Sequence, residues 1–344
     1  MRKGLVLVFL ATFSLLLLGN SINALAIAPY EGLAPENNSV VILDAGTYYI
    51  NDTGGDGVIE IIGKENVTIV CNGTEIIGNG EDITFGMWIH NSYNITVENC
   101  TFKKYWKGID LKDSQLVIIR NNTLEEMSMT GIYGEANLTN LIIENNRIDQ
   151  TLAGIWLRTL VSYEEGKHII IRENWVRAKH GIRIVSHPSD EFGGYWDDVN
   201  ITNNEVIWIP EELEEVKVFI GIGFLEYPWY RNSLRNIYVK GNRIEGFPYG
   251  LPCRGIINLT KINNWVNASY FTTYSLNVKG ELLEENNTYI LNSPLTYVAV
   301  GAYGLETYTK GQIKRNRYEV ERGNSTYGLY LYDSNNQTYH YNLM

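Results

Sequence analysis

Carboxylates, one arginine and a scatter of aromatic residues carry the chemistry this chain could do. Asp190, Asp197 and Asp198 lie close together in sequence, a short distance after Arg183. Hydrolysis of a glycosidic bond needs two carboxylates across the scissile bond, and Asp110, Asp190, Glu191, Asp197 and Asp198 are the candidates. Elimination from a uronate needs a base and a cation to neutralise the acid. Arg183, with a calcium ion held by Asp197 and Asp198, would supply both, since calcium takes clustered oxygen ligands. A second set of residues suits binding. Trp88, Asp110, Tyr133, Trp156 and Arg183 each follow a short Gly-Ile or Gly-Met unit, and aromatic faces spaced along a groove suit sugar rings. Arg158, His187, Tyr195, Trp196 and Trp229 lie in or beside three longer connections and complete this binding set. No Cys/His spacing suggests a structural metal, so no resident cofactor is expected beyond calcium in an eliminating enzyme. His180 and His187 alone make a poor copper site.

What would position these residues is a repeat. LIIENNRI (141–148) recurs as ITVENCTF (95–102), VIIRNNTL (117–124), IIIRENWV (169–176), VNITNNEV (199–206) and IYVKGNRI (237–244). Positions 1, 3 and 8 are apolar in every copy and position 4 is polar, the period-2 pattern of a short strand with one buried face. Position 4 reads Glu98, Arg120, Glu144, Arg172, Thr202, Lys240, so its charge alternates in sign over the first four copies, as stacked side chains require. Position 6 reads Cys100, Asn122, Asn146, Asn174, Asn204, Asn242. Stacked at the ~4.8 Å strand spacing, these amides can bond one another in a ladder. A second strand follows each copy after a glycine: Gly108, Gly131, Gly154, Gly181, Gly221. Coils of this kind make an all-β, single-stranded parallel β-solenoid of roughly nine to eleven coils. Cys71 and Cys100 fall in adjacent repeats, where a bridge between neighbouring turns is geometrically possible, leaving Cys253 free.

The copies of [VI]-x-[IV]-x-N-N-x-[IVL] followed by G-I-x-[LI] resemble the right-handed parallel β-helix proteins of the pectate-lyase-like superfold. The nearest likeness is to the repeat family described as carbohydrate-binding and sugar-hydrolysing. DAGTYYINDTGGDGVIEI (44–61) resembles the N-terminal cap of such domains, and the resemblance covers about residues 40–264. It implies the fold and a polysaccharide or cell-surface glycan as partner, while the superfold hosts lyases, hydrolases, epimerases and adhesins alike. The Asp-Asp and Gly-His-Gly motifs of polygalacturonases have only a partial counterpart in Lys179-His180-Gly181-Ile182-Arg183-Ile184. The Trp-Ile-Asp-His of pectate lyases meets only Met87-Trp88-Ile89-His90.

The chain of 344 residues carries a net charge of −11. Its first residues, Arg2 and Lys3 ahead of an apolar run to Leu18 and then Ala24-Leu25-Ala26, read as a secretory signal over 1–26. No later segment is apolar enough to span a membrane. Without the signal, 26 Lys and Arg face 39 Asp and Glu, and such an acidic surface repels nucleic acid. Asn-X-Ser/Thr triplets, among them Asn51, Asn66, Asn94 and Asn258, fit a secreted glycoprotein. The expected organisation is a signal (1–26), a cap and first coil (27–66), regular coils (67–264) and irregular coils with a C-terminal cap (265–344). The expectation is a secreted or cell-surface β-helix that binds glycan on the side of its long connections; a polysaccharide lyase or glycoside hydrolase is the alternative.

Overall fold

A computed structural model describes residues 26–81, 83–159, 164–186, 194–210, 219–226, 233–292, 298–305, 310–322, 326–332 and 337–340. Within them the chain is all β. Every strand pairs in parallel with strands one coil away, as in Thr130–Glu144, whose Ile132 lies over Ile109 and under Ile155. Among the described residues no helix is long and apolar enough to cross a membrane.

Each coil contributes three strand segments. The copies of the eight-residue motif supply the first, stacked from Ser39–Leu43 through Glu65–Cys71 and Tyr93–Glu98 to Gln337–His340. Short strands such as Thr101–Lys103 and Thr123–Glu125 supply the second, after the corner. The Gly-Ile segments supply the third, as in Phe85–His90 and Ile222–Glu226. The apolar positions of all three point inward to one continuous core.

The corner explains the Asn-Asn dipeptide. Its first residue adopts a left-handed backbone, with φ of 57° at Asn121, 55° at Asn145 and 54° at Asn203, a conformation asparagine tolerates better than most side chains. Its second residue is buried. Asn122 Nδ2 donates to Asn146 Oδ1 at 3.1 Å, Asn146 to Asn174 at 3.0 Å, Asn174 to Asn204 at 3.0 Å and Asn204 to Asn242 at 3.0 Å. Each backbone N–H at these positions donates to the next amide oxygen as well, and the chain of bonds continues through Asn264 and Asn287 to Asn316. Thus the ladder runs well beyond the last clear copy of the motif. Cys71 and Cys100 are joined by a disulfide near the ladder's first member, and Cys253 is a free, buried thiol.

The glycines that open the third segments are there for space rather than for an unusual φ. A β-carbon on Gly131 would lie 2.5 Å from Ile148 Cγ2 and 2.8 Å from the carbonyl oxygen of Gly154. The backbone therefore approaches the core too closely for any side chain.

Candidate functional site

The residues after the Gly-Ile units stack in register. Trp88 pairs with Asp110, Asp110 with Tyr133, Tyr133 with Trp156, Trp156 with Arg183 and Arg183 with Gly223. Because Met87, Ile109, Ile132, Ile155 and Ile182 fill the core, strand alternation turns their successors outward onto one face. Two columns frame that row. His90, Lys112, Glu135 and Arg158 lie two residues further along the strands, and Phe85 and Lys107 lie at their start.

At the centre sits Lys107, which is 7% exposed. Its ammonium group lies 2.6 Å from Asp110 Oδ1 and 3.6 Å from the centroid of the Tyr133 ring, with Trp106 and Phe85 at 4.6 and 5.3 Å. Cations are attracted to aromatic faces and more strongly once water is removed. Burial nevertheless pushes the Lys107 pKa below its usual range, against the opposing pull of Asp110. The other oxygen of Asp110 lies 2.8 Å from His90 Nε2, and the Trp88 indole N–H also points at that nitrogen.

A second cluster lies alongside. Tyr133 Oη donates to Glu135 Oε2 at 2.6 Å, and Arg158 reaches the same oxygen through Nε at 3.0 Å and Nη2 at 2.7 Å. Lys112 approaches Glu135 Oε1 at 3.5 Å. Burial alone would raise the Glu135 pKa, but the bonds from Tyr133 and Arg158 outweigh it and the net shift is downward. Tyr133 is pushed the other way, first by burial and then by its bond to Glu135. The Arg183 guanidinium lies 4.7 Å from the centroid of the Trp156 ring.

Several sequence expectations need correction. Trp196 is fully buried: its indole N–H donates to the carbonyl of Val185 at 3.1 Å, and its ring fills the space left by Gly166, where a β-carbon would meet it at 1.8 Å. It belongs to the core and cannot touch a ligand. Tyr133 is 2% exposed, with its ring face taken by Lys107, so it offers no open stacking surface. Asp110 is equally enclosed, held by Lys107 and His90. Asp197 and Asp198 do not join Arg183. They stand on Tyr195–Thr202, in the stack of first segments, whereas Arg183 stands on Trp175–Ser186 between Trp156 and Gly223. Asp198 Oδ2 lies 2.7 Å from His168 Nδ1, and Asp197 Oδ1 accepts from Asn236 at 2.7 Å. With those oxygens engaged by His168 and Asn236, the pair is a poor fit to calcium, and no group of three potential ligands gathers among the described residues. Tyr195 stays half-buried, with Lys167 and Arg235 over its ring at 5.1 Å each. His187, Asp190 and Trp229 lie outside the described residues, as do Glu191 and Arg231.

The residues sequence reasoning missed are Lys107, Glu135, His90 and Phe85. Their only signal was position: each lies two or three residues from the member of its coil in the row that was read, on the same outward face.

The coil architecture and its stacked corner carry the family assignment. A family model described as the right-handed β-helix region matches residues 32–206, and the chain belongs to that family. No curated protein matches the sequence. Among solved structures, the chain is similar to an alginate lyase from Paenibacillus sp. str. FPU-7, with 11% identity over 86% of this chain and 93% of that one and a TM-score of 0.41. It is similar to a mannuronan C-5 epimerase A-module from Azotobacter vinelandii at 12% identity, 88% and 90% coverage and a TM-score of 0.43. A surface protein and adhesin of Streptococcus pneumoniae gives 12% identity, 91% and 90% coverage and a TM-score of 0.34.

Proposed function

We propose that this protein is an exported or cell-surface β-helix that binds a polysaccharide along the outward face running from Trp88 to Arg183. One observation carries the reading. A single face of the solenoid joins the half-buried indoles of Trp88 and Trp156 to Lys112, Arg158 and Arg183, over the buried Lys107–Asp110 pair. Indoles pack on the apolar faces of sugar rings, and a fixed ionic floor orients hydroxyl and acidic groups above them. Among the described residues the buried Trp156 Nε1 has no hydrogen-bond partner, and a small shift of the half-buried indole would offer it to a ligand.

Export rests on the basic, apolar and small-residue parts of 1–26, and glycosylation on the Asn-X-Ser/Thr triplets. The cap over 27–66, the regular coils to 264 and the C-terminal coils beyond are part of the same proposal, as is an overall count of roughly nine to eleven coils.

The test is retention of the mature protein on a panel of neutral and acidic glycans. Changing Trp88 and Trp156 together to Ala should weaken retention about tenfold, with the thermal midpoint nearly unmoved. Unchanged retention would remove this face from consideration. The contact of Lys107, Asp110 and His90 favours a second reading, an enzyme acting on the same polymer, because an amine, a carboxylate and an imidazole within hydrogen-bond reach are the groups that general acid–base chemistry uses. New reducing ends, or absorbance from an unsaturated uronate, would mark a hydrolase or a lyase; retention without product would mark a binder.

A further inference from the structure

A groove of about 910 Å³ opens on a different part of the surface, at the corner where the short second segments lead into the Gly-Ile segments. Its walls include Leu152, Ile207, Trp208, Arg177 and Lys179. Sites for small molecules typically measure ~300–1,000 Å³ and combine apolar walls with a few polar groups.

The local structure there departs from the regular coil. The register between Arg147–Thr159 and Trp175–Ser186 shifts between Asp149 and Thr151, so Gln150 is an extra residue, and its φ is 53°. Such bulges re-aim side chains. Thr151 then pairs with Ala178, and Ala178 with Trp208. Between them Ala178 is fully buried in the core. Among the described residues the Thr151 hydroxyl, on a residue 2% exposed, has no hydrogen-bond partner, and neither has the Trp208 indole N–H. Both residues line the groove. Unpaired buried donors are uncommon because each costs the chain stability. Two of them on one groove argue for a ligand with acceptor oxygens.

The charges add to this. Arg177 holds Asp149 through Nε at 2.6 Å while 40% of its side chain stays exposed, and Lys179 lies two residues along the same strand. Glu126 also lines the groove, with its Oε2 3.9 Å from Lys104 Nζ. An indole for a sugar's C–H face, donors for its hydroxyls and two cations for an acid group together describe one chemistry.

We infer that this groove is a second saccharide site, separate from the Trp88–Arg183 face, and that it takes a short oligosaccharide bearing a carboxylate. The experiment is calorimetric titration of the full-length mature protein with trigalacturonate and, in parallel, with neutral maltotriose. Wild type should bind the acidic trisaccharide more tightly than the neutral one. Thr151→Val keeps the shape and removes only the hydroxyl; it should bind about fivefold more weakly while the unliganded protein melts no earlier than wild type. Trp208→Ala and Arg177→Gln should weaken binding at least as much, and Trp156→Ala on the other face should leave it unchanged. Absence of binding, equal affinity in Thr151→Val, or loss on Trp156→Ala with none on Trp208→Ala would each overturn the assignment. The Trp156 arm separates this site from the proposed face, since either can fail without the other.

Discussion

The same interior column tells two stories at the two ends of the molecule. In the earlier coils, position 3 stacks Val97, Ile119, Ile143, Ile171, Ile201 and Val239, each fully buried against the next. One coil later the column places Lys261 under Glu284, also fully buried, before returning to Ile313. Lys261 Nζ lies 2.8 Å from Glu284 Oε1 and donates to Thr273 Oγ1 at 2.8 Å and Ser275 Oγ at 2.7 Å. Ser275 Oγ donates to Glu284 Oε1, and Tyr289 Oη to Oε2 at 3.2 Å. A solenoid core therefore accepts charge when adjacent rungs change together and facing hydroxyls complete the bonding. Cys253 lies in the same neighbourhood, and burial pushes its thiol up to about 11.

The largest expected effect tests that statement. Lys261→Met leaves the Glu284 carboxylate buried without its cation, and breaking a buried pair in this way costs about 3–5 kcal/mol. Lys261→Met with Glu284→Leu restores the column to the apolar pattern of the earlier coils, and should be near neutral or more stable than the single change by several kcal/mol. Urea unfolding of the three proteins measures both. If the single change proves as mild as an Ile→Val change in the earlier coils, the two ends are not different in the way described.

The same pair explains what the sequence hid. LTKINNWV (259–266) and LLEENNTY (282–289) occupy the register of the motif, yet Lys261 and Glu284 fall where an apolar residue was required, so the apolar pattern of the repeat breaks there. Their Asn263-Asn264 and Asn286-Asn287 dipeptides were the surviving signal, because the corner depends on φ and amide bonding rather than on apolarity. The fold was legible in the earlier coils for the converse reason: period-2 apolarity and the asparagine corner agreed in five of the six copies, with Cys100 in place of the asparagine in the first. The site was legible only as a row. Trp88, Asp110, Tyr133, Trp156 and Arg183 share a face, but alternation does not tell which of them are covered, and Lys107 covers Tyr133 from a column the motif does not mark. Asp197 and Asp198 misled because nearness in sequence to Arg183 spans a change of sheet.

The asparagine ladder offers a sharper comparison, since it crosses both regions unchanged. Asn174 donates to Asn204 Oδ1, to the carbonyl of Ile143 at 2.9 Å and to that of Arg172 at 3.0 Å, and accepts from Asn146. Asn174→Leu strands those groups in a buried corner, at a cost of roughly 2–4 kcal/mol. Asn264→Leu, in the coil of Lys261, should cost the same within about 0.5 kcal/mol, because its bonds to Asn287 Oδ1 at 2.9 Å and Val239 O at 3.0 Å have the same geometry. A much smaller loss at Asn264, read from denaturant midpoints, would mean that the later coils are held by their polar core and not by the ladder.

The smallest effect belongs to the outer neighbour of the interior column. At position 4, Glu98, Arg120, Glu144 and Arg172 stand one above another, with Arg120 Nη2 2.6 Å from Glu98 Oε2 and Arg172 bonded through Nε and Nη2 to Glu144 Oε2. These ions keep contact with water: the side chain of Arg172 is 47% exposed. Hydration already stabilises each charge, so the pairing adds little, and Arg172→Ala should cost under about 1 kcal/mol. That small loss should shrink further in molar salt, whereas the loss from Lys261→Met, out of reach of ions, should not. The contrast isolates burial as the variable, because both substitutions remove one cation from a carboxylate stacked one rung away.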